Sequence, residues 1–248
     1  LSTAGALIAT ICARGGSKGL PRKNVLPFAG LPLIAHSIRQ ALACAQIQGV
    51  YVSTDDEEIA QVARDHGAQV PYLRPAELAT DTAGKLPAIE HLAAHLETGG
   101  MQVATIVDLQ PTSPLRSAQD LEAALALRER AGLVVSVTQP SHNPYYTLVE
   151  DTPEGGLRLS KTLSDGQAVA RQAVPEVWGL NGAIYVWRRD ALARAVREGF
   201  WSVDMCPLPM PRERSIDIDD RLDFDTAEWL YTSGRTGLVP LNSQERQP

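Results

Sequence analysis

Apolar positions along this chain fall into two alternating rhythms. Continuous apolar runs of strand length occur at ALIATICA (6–13), GVYVSTD (49–55), VATIVDLQ (103–110) and LVVSVTQ (133–139). Such runs predict strands buried on both faces. AQVPYLR (68–74) predicts a further, poorer strand. Between the runs the spacing turns helical. A helix is predicted from about Leu33, with Ile34, Ile38, Ala41, Leu42 and Ala45 on one face. A second follows Asp55 and Asp56 in EEIAQVARDHG, with Gly67 past its end. Others are predicted over 85–97 and in SAQDLEAALALRERAG, where Ser117 is the cap. The rhythm breaks between about Pro140 and Leu180, a stretch rich in Pro, Gly and polar residues, with a short strand predicted at GLRLS (156–160). NGAIYVW (181–187) resumes the core, a helix follows from Asp190, and after MCPLPMP the second half of SIDIDDRLDFDTAEWLYTSG is helical.

Alternating strands and helices imply an α/β fold with a mostly parallel, doubly wound sheet. Residues 1–139 and 181–240 read as the core, 140–180 as an inserted arm, and 241–248 as a flexible tail. Ligands of such sheets bind at the carboxyl ends of strands.

The chain has 248 residues, 44% of them hydrophobic, which suffices for a sizeable core. A net charge of −6 and a pI near 5.4 exclude general nucleic-acid binding. The three cysteines, Cys12, Cys44 and Cys206, form no C-x-x-C pair and no disulfide framework, which fits a reducing cytoplasm. Cys12, inside an apolar run, reads as a buried small hydrophobe. No basic residue precedes LSTAGALIATICA, so it reads as the first strand rather than a signal segment. No uncharged apolar run reaches spanning length, so no membrane helix is expected.

Against this acidic background ICARGGSKGLPRKN (11–24) stands out. It carries Arg14, Lys18, Arg22 and Lys23 with three glycines and no carboxylate, directly after the first strand. The Walker pattern G-x-x-x-x-G-K-[ST] is absent, and the first glycine of G-x-G-x-x-G would fall at Arg14. GGSKG matches the nucleophile elbow G-x-S-x-G, but Pro21 follows two residues later and the next long helix starts near Leu33, which disfavours a hydrolase using Ser17. What remains is a loop whose glycines let N–H groups converge on phosphate oxygens while its cations neutralise their charge. A solvated surface turn is the bland alternative.

The acidic counterpart is SIDIDDRLDFD (215–225). In an extended segment Asp217 and Asp219 share one face while Ile216 and Ile218 share the other. Two hard oxygen donors on one face suit Mg²⁺, or Mn²⁺ in its place, with waters and phosphates completing the shell. A helix start enriched in aspartate explains Asp219, Asp220 and Asp223 well, and Asp217 poorly. His91 and His95 have the spacing of a zinc helix but lack the glutamate of H-E-x-x-H, so a solvated helix face is expected. Phe200 and Trp201 read as a dimer contact or as core packing.

ARGGSKGLPRKN, VSTDDEEIA, LRPAELATDTA, LQPTSPLR, NGAIYV and SIDIDDRLDF, in this order from residue 13 to 224, resemble the acylneuraminate cytidylyltransferases. Kdo cytidylyltransferases carry a different loop, closer to A-R-x-x-S-x-R-x-P-x-K. The resemblance implies a Rossmann-like nucleotidyltransferase fold and a Mg²⁺-dependent reaction of CTP with a nonulosonic acid, giving a CMP-sugar and pyrophosphate. It implies that the loop Arg14, Gly15, Gly16, Ser17, Lys18 and Lys23 holds the triphosphate. Asn24 would read cytosine and Arg74 would lie beside the nucleoside. Asp217 and Asp219 would bind the metal and activate the hydroxyl, so that Arg14, Lys23, Asp217 and Asp219 form the catalytic set. Gln110, Asn181 and Tyr185 would meet the sugar. It further implies a homodimer whose arm at 140–180 reaches the partner's site, with Arg171 on the neighbour's sugar carboxylate. Plainer readings stand beside these: a hairpin turn for Asn181-Gly182, a strand-end cap for Gln110, a surface position for Arg74 and packing for Tyr185. Two positions depart from the family pattern. Tyr146 stands where an arm lysine is usual, and Lys85 where a small hydroxyl residue follows DTA. The departures point to a sialic acid relative of legionaminic or pseudaminic type as substrate. A Kdo-type acid and a non-catalytic nucleotide-binding regulator are the alternatives.

Overall fold

The computed structural model describes residues 5–17, 19–80, 83–164, 166 and 170–238, the side chain of Arg171 excepted. In chain order the strands are β1 (Ala6–Cys12), β2 (Pro27–Phe28), β3 (Leu31–Pro32), β4 (Gly49–Ser53), β5 (Val103–Leu109), β6 (Leu133–Thr138), β7 (Val149–Asp151), β8 (Leu157–Leu159), β9 (Gly179–Arg188) and β10 (Met205–Pro209). The helices are α1 (Leu33–Ala43), α2 (Glu57–Asp65), α3 (Lys85–Thr98), α4 (Ala118–Ala126), α5 (Arg189–Glu198) and α6 (Arg221–Thr232). Six strands form one sheet in the order β10-β6-β9-β5-β1-β4. All neighbours run parallel except β9, which is antiparallel to both β5 and β6. The sheet is therefore mostly parallel, as the alternating pattern predicts.

Side chains that alternate along each strand feed two cores. Ala9, Ile11, Val107 and Leu109 meet Ile34 and Ile38 of α1, Ile59 of α2 and Leu121 of α4 on one face. Ile8, Val103 and Ile106 meet Ile89 and Leu92 of α3 and Leu192 of α5 on the other. Arg189 ties α5 to α3 by hydrogen bonds to Glu90 and Glu97 at 2.7–2.9 Å. A third cluster packs Phe224, Ala227 and Tyr231 of α6 over Phe28, Leu33 and Ile218. That cluster presses the segment before α6 against the sheet edge where β1, β4 and β5 end.

Two expectations change, and one strand is added. Residues 68–74 form no strand: Gln69 and Leu73 make single parallel bridges to Tyr51 and Thr54, and Pro71 between them has no N–H to donate. MCPLPMP contributes β10, an edge strand. Met210 N donates to Val137 O at 2.7 Å, so alternate positions face β6 while Pro207 and Pro209 face away, where no N–H is needed. Asn181-Gly182 is no hairpin turn. It lies within β9, in a bulge where the register to β6 shifts between Val135 and Val137. The bulge closes around Ser136, whose Oγ accepts from Ile184 N at 2.8 Å and lies 2.6 Å from Asn181 Oδ1. Between residues 140 and 180, β7 and β8 form a separate two-stranded sheet and, among the described residues, pair only with each other.

Replacing Ser136 by alanine leaves the buried Ile184 amide without its acceptor. We expect a loss of about 1–3 kcal/mol in denaturant unfolding; a midpoint unchanged from the wild type would show that the hydroxyl does not hold the bulge.

Candidate active site

The basic loop leaves the carboxyl end of β1 and is held down by neighbouring carboxylates. Gly15 N donates to Asp55 Oδ1 at 3.1 Å. Asp56 caps α2 by accepting from Ile59 N at 3.0 Å, and a Cβ on Gly15 would sit 2.7 Å from its Oδ2. Arg22, with φ 57°, pairs with Asp56 and Glu58 and so turns onto α2. A Cβ on Gly19 would overlap the Asp219 carbonyl, while one on Gly16 would meet nothing within 4 Å. Ser17 N donates to Gly15 O at 3.1 Å. No helix begins at Ser17, so the nucleophile-elbow reading has no structural support. Arg14 Nη1 lies 3.3 Å from Thr80 O. Lys18 and the side chain of Arg171 fall outside the described residues.

Lys23 crosses to the acidic segment. Its Nζ donates to Ile218 O at 2.7 Å and lies 3.2 Å from Asp219 Oδ1. Ile218 N in turn donates to Thr112 O at 2.8 Å, which fixes the segment against the loop after β5. The predicted alternation holds: Ile216 and Ile218 pack into the α6 cluster, and Asp217 faces the other way. Asp217 accepts from Thr112 Oγ1 at 2.6 Å and Gln110 Nε2 at 2.7 Å. Burial pushes its carboxyl above the usual range, the like charge of Asp219 adds to the push, and the two hydrogen bonds and Lys23 oppose it. Asp219 is exposed. The remaining aspartates are structural. Asp220 and Asp223 form a capping box on α6, and Asp225 pairs with Arg221. Among the described residues no group of three or more His, Cys, Asp or Glu gathers as a metal site. The pair Asp217 and Asp219 therefore fits a cation only with oxygen ligands from a bound phosphate and water. A cation there would offset the like charge of Asp219, which adds to the effect of burial on Asp217.

These segments enclose an open cleft of about 420 Å³ walled by Arg14, Ser17, Lys23, Asn24, Gln110 and Asp219, with Cys12 and Lys85 at its edge. Burial pushes the Cys12 thiol up to about 11, so it stays a neutral thiol. Asn24 is buried; its Nδ2 donates to Arg14 O at 3.1 Å, and its Oδ1 has no donor among the described residues. A second, more apolar cleft of about 430 Å³ adjoins, with Tyr185, Trp187 and Phe200 on its walls. Lys85 lies on both.

Two of the expected contact residues sit behind the walls. Arg74 is buried, its Nε donating to Ser53 Oγ at 2.9 Å and its Nη2 to Ser53 O. Asn181 is buried between Ser136, Ser215 and the Ala183 amide. Both support the site from beneath. His91 Nδ1 lies 2.8 Å from Tyr72 OH and its ring packs edge-on against the same tyrosine, so it joins a local cluster. Phe200 packs edge-on against Trp187, while Trp201 is 76% exposed. Sequence reasoning passed over Thr112 and Arg116. Arg116 is fully buried beneath the loop after β5; its guanidinium donates to Ser37 Oγ (2.9 Å), Gln40 Oε1 (2.8 Å) and the Gln110 carbonyl. Burial pushes its pKa down to about 9. Thr112 and Arg116 both lie in the quoted LQPTSPLR, but nothing in that string separates a buried cation from a surface one.

The profile of the cytidylyltransferase family matches residues 8–145. The chain is 34% identical to post-translational flagellin modification protein B of Campylobacter coli, over 90% of this chain and 94% of that protein. It is 35% identical to CMP-N,N'-diacetyllegionaminic acid synthase of Legionella pneumophila, over 94% and 99%. It is also 35% identical to N-acylneuraminate cytidylyltransferase of Escherichia coli, over 89% of this chain and 51% of that protein. Among solved structures, CMP:2-keto-3-deoxy-manno-octonic acid synthetase complexed with CTP shares the fold, with a TM-score of 0.68 at 18% identity over 92% of this chain and 99% of that one.

Gly182 has φ +71°, and a Cβ there would sit 2.9 Å from Gln110 Oε1. Gly182→Ala is expected to push Gln110 off Asp217, lowering turnover about 10-fold or more and costing about 1–2 kcal/mol in backbone strain. Wild-type turnover in that variant would show that the Gln110–Asp217 contact is dispensable.

Proposed function

The chain belongs to the acylneuraminate branch of the cytidylyltransferase family, and we propose that it transfers CMP from CTP to the anomeric hydroxyl of a nonulosonic acid, releasing pyrophosphate. The observation that carries this reading is the meeting of a cationic, glycine-rich loop with a carboxylate pair on one cleft, joined by Lys23. Lys23 and Arg14 are placed to bind a triphosphate, with Gly15, Gly16 and Ser17 supplying backbone approach and Lys18 belonging to the same loop. Asn24 Oδ1, buried and without a donor, suits the exocyclic amine of cytosine.

The sugar hydroxyl oxygen attacks the α-phosphorus. A new P–O bond forms, the bond between the α-phosphorus and the β-bridging oxygen breaks, and pyrophosphate leaves. The Asp217 carboxylate, oriented by Gln110 and Thr112, is suited to help activate the hydroxyl and take its proton. Bound Mg²⁺ supplies charge neutralisation at the phosphates, and Asp217 and Asp219 are the residues that would hold it. Little covalent chemistry is asked of the protein; positioning and electrostatics supply the rate.

The adjoining apolar cleft, with Tyr185 and Phe200, suits a sugar bearing acyl substituents. Relatives named for diacetyllegionaminic and for N-acylneuraminic acid both fit that chemistry. We also place the working protein in a homodimer and in the cytoplasm, where CTP is available. In support of the dimer, the arm exposes Tyr146, Leu148, Val149 and Leu157, and Trp201 adds to the uncovered apolar surface. In that assembly Arg171 would serve the neighbouring site.

Pyrophosphate release with CTP, Mg²⁺ and a panel of nine-carbon sugar acids tests the reaction. Release with at least one acid is expected, and removal of Mg²⁺ by chelation should stop it. Asp219→Asn should lower turnover about 10²–10³-fold with CTP binding largely kept. CTP binding without release on any acid would point to a nucleotide-binding regulator instead.

A further inference from the structure

Lys85 is the first residue of α3, and its side chain reaches back over the sheet edge to Asp108 on β5. Asp108 is fully buried; one of its oxygens lies 3.1 Å from Thr10 Oγ1, a donor on β1, and the other pairs with Lys85. The Lys85 ammonium lies 5.3 Å from the centre of the Tyr185 ring. An ammonium has three N–H donors, and Asp108 occupies one. Among the described residues no acceptor meets the others, although the nitrogen is buried. Buried donors left without acceptors are costly, and native proteins seldom keep them without a purpose.

The position supplies one. Among the described residues Lys85 alone lies on the walls of both clefts, and it is the only cation on the described walls of the apolar one. In the nucleotide cleft Arg14 and Lys23 belong to the loop assigned to the triphosphate. Burial alone would drive Lys85 towards neutrality, but Asp108 outweighs it and its pKa ends above the usual lysine value. Lys85 is therefore a fixed positive charge and no base. In a 2-keto sugar acid the carboxylate is bonded to the anomeric carbon itself. The carboxylate therefore stays within a few bonds of the attacking hydroxyl, and Lys85, on the wall of the cleft that holds Gln110 and Asp219, is a cation within reach of that centre.

We infer that Lys85 is a receptor for the sugar acid's carboxylate, the cation that this chain supplies to its own site beside the one expected from a neighbour's arm, and thus a residue that selects an acid over a neutral sugar at the reacting centre. The inference rests on the proposed reaction and extends it. Asp108 and Thr10 act as positioning residues that hold the ammonium charged and in place at that wall. The flexible stem lets the nitrogen turn its spare donors into the cleft when an acceptor arrives.

The test compares the nonulosonic acid that the wild type uses best with its C1 carboxamide, which keeps the shape and loses the charge. The wild type should prefer the acid by about 30-fold in kcat/KM. In Lys85→Met/Asp108→Asn, which removes both charges and leaves no buried carboxylate unpaired, that preference should collapse to within about threefold. KM for the acid should rise about 30-fold while KM for CTP stays within about twofold. Lys85→Gln, whose amide still donates to Asp108, is read the same way and covers the case in which the double variant fails to fold. A merely structural lysine would leave the acid-to-amide preference intact, and that result in either variant overturns the inference. A parallel rise in KM for CTP would assign Lys85 to the nucleotide and overturn it equally. If the wild type turns over no sugar acid, the reaction itself is contradicted and this assignment goes with it; an active wild type with unchanged preference in the variants overturns Lys85 alone.

Discussion

The ammonium of Lys23 joins two stretches of chain 195 positions apart, the loop after β1 and the carboxylate segment before α6. Opposite charges brought this close attract strongly, yet half-exposed pairs of this kind add little stability. The consequence is geometric. With Lys23 on the Ile218 carbonyl, and the Ile218 amide on Thr112, three segments converge on one edge of the sheet and their side chains face a common cleft. Remove that convergence, and the cations and carboxylates become separate surface features with no shared chemistry.

The supports behind the cleft work by the same principle, each turning a buried polar group to a positional use. Arg116 spends its guanidinium on Ser37, Gln40 and the Gln110 carbonyl, so the loop after β5 is fixed from below while the Gln110 side chain is free to meet Asp217. Asp55 holds Gly15, and Asp56 holds Arg22, so the glycine loop is kept against α2. The β9 bulge, closed on Ser136, places Gly182 against Gln110 and Tyr185 on the apolar cleft. An antiparallel strand inserted among parallel ones is what brings these residues to the edge where β1, β4 and β5 end.

Much of this was legible in the residues themselves. Strands buried on both faces announce themselves as apolar runs, so β1, β5 and β6 were plain. The Ile/Asp alternation at 216–219 assigned its two faces correctly because an extended segment admits no other arrangement. The failures share a cause: they depend on partners distant in the chain. MCPLPMP carries no apolar run that announces a strand, and its prolines fit β10 only because at a sheet edge the missing N–H faces outward. Asn181-Gly182 carries turn chemistry, and only Ser136 on the neighbouring strand makes it a bulge. Arg74 and Asn181, which the resemblance sets beside the ligands, are buried, and nothing local in the sequence announces that burial. Lys85 and Asp108 are 23 positions apart, and their pairing across the edge of the sheet has no local signal.

The two clefts divide the work of a transfer reaction, one charged and one apolar, with Lys85 on the boundary. The central claim is that the cleft closed by Lys23 is where the nucleotide sits. The most direct measurement is a crystal structure with Mg²⁺ and a CTP analogue that resists cleavage. The triphosphate should lie over residues 14–23 in contact with Arg14 and Lys23, the base at Asn24, and the cation on Asp217 and Asp219. A nucleotide seated elsewhere, with Lys23 still on Asp219 and no cation between the carboxylates, would contradict that claim.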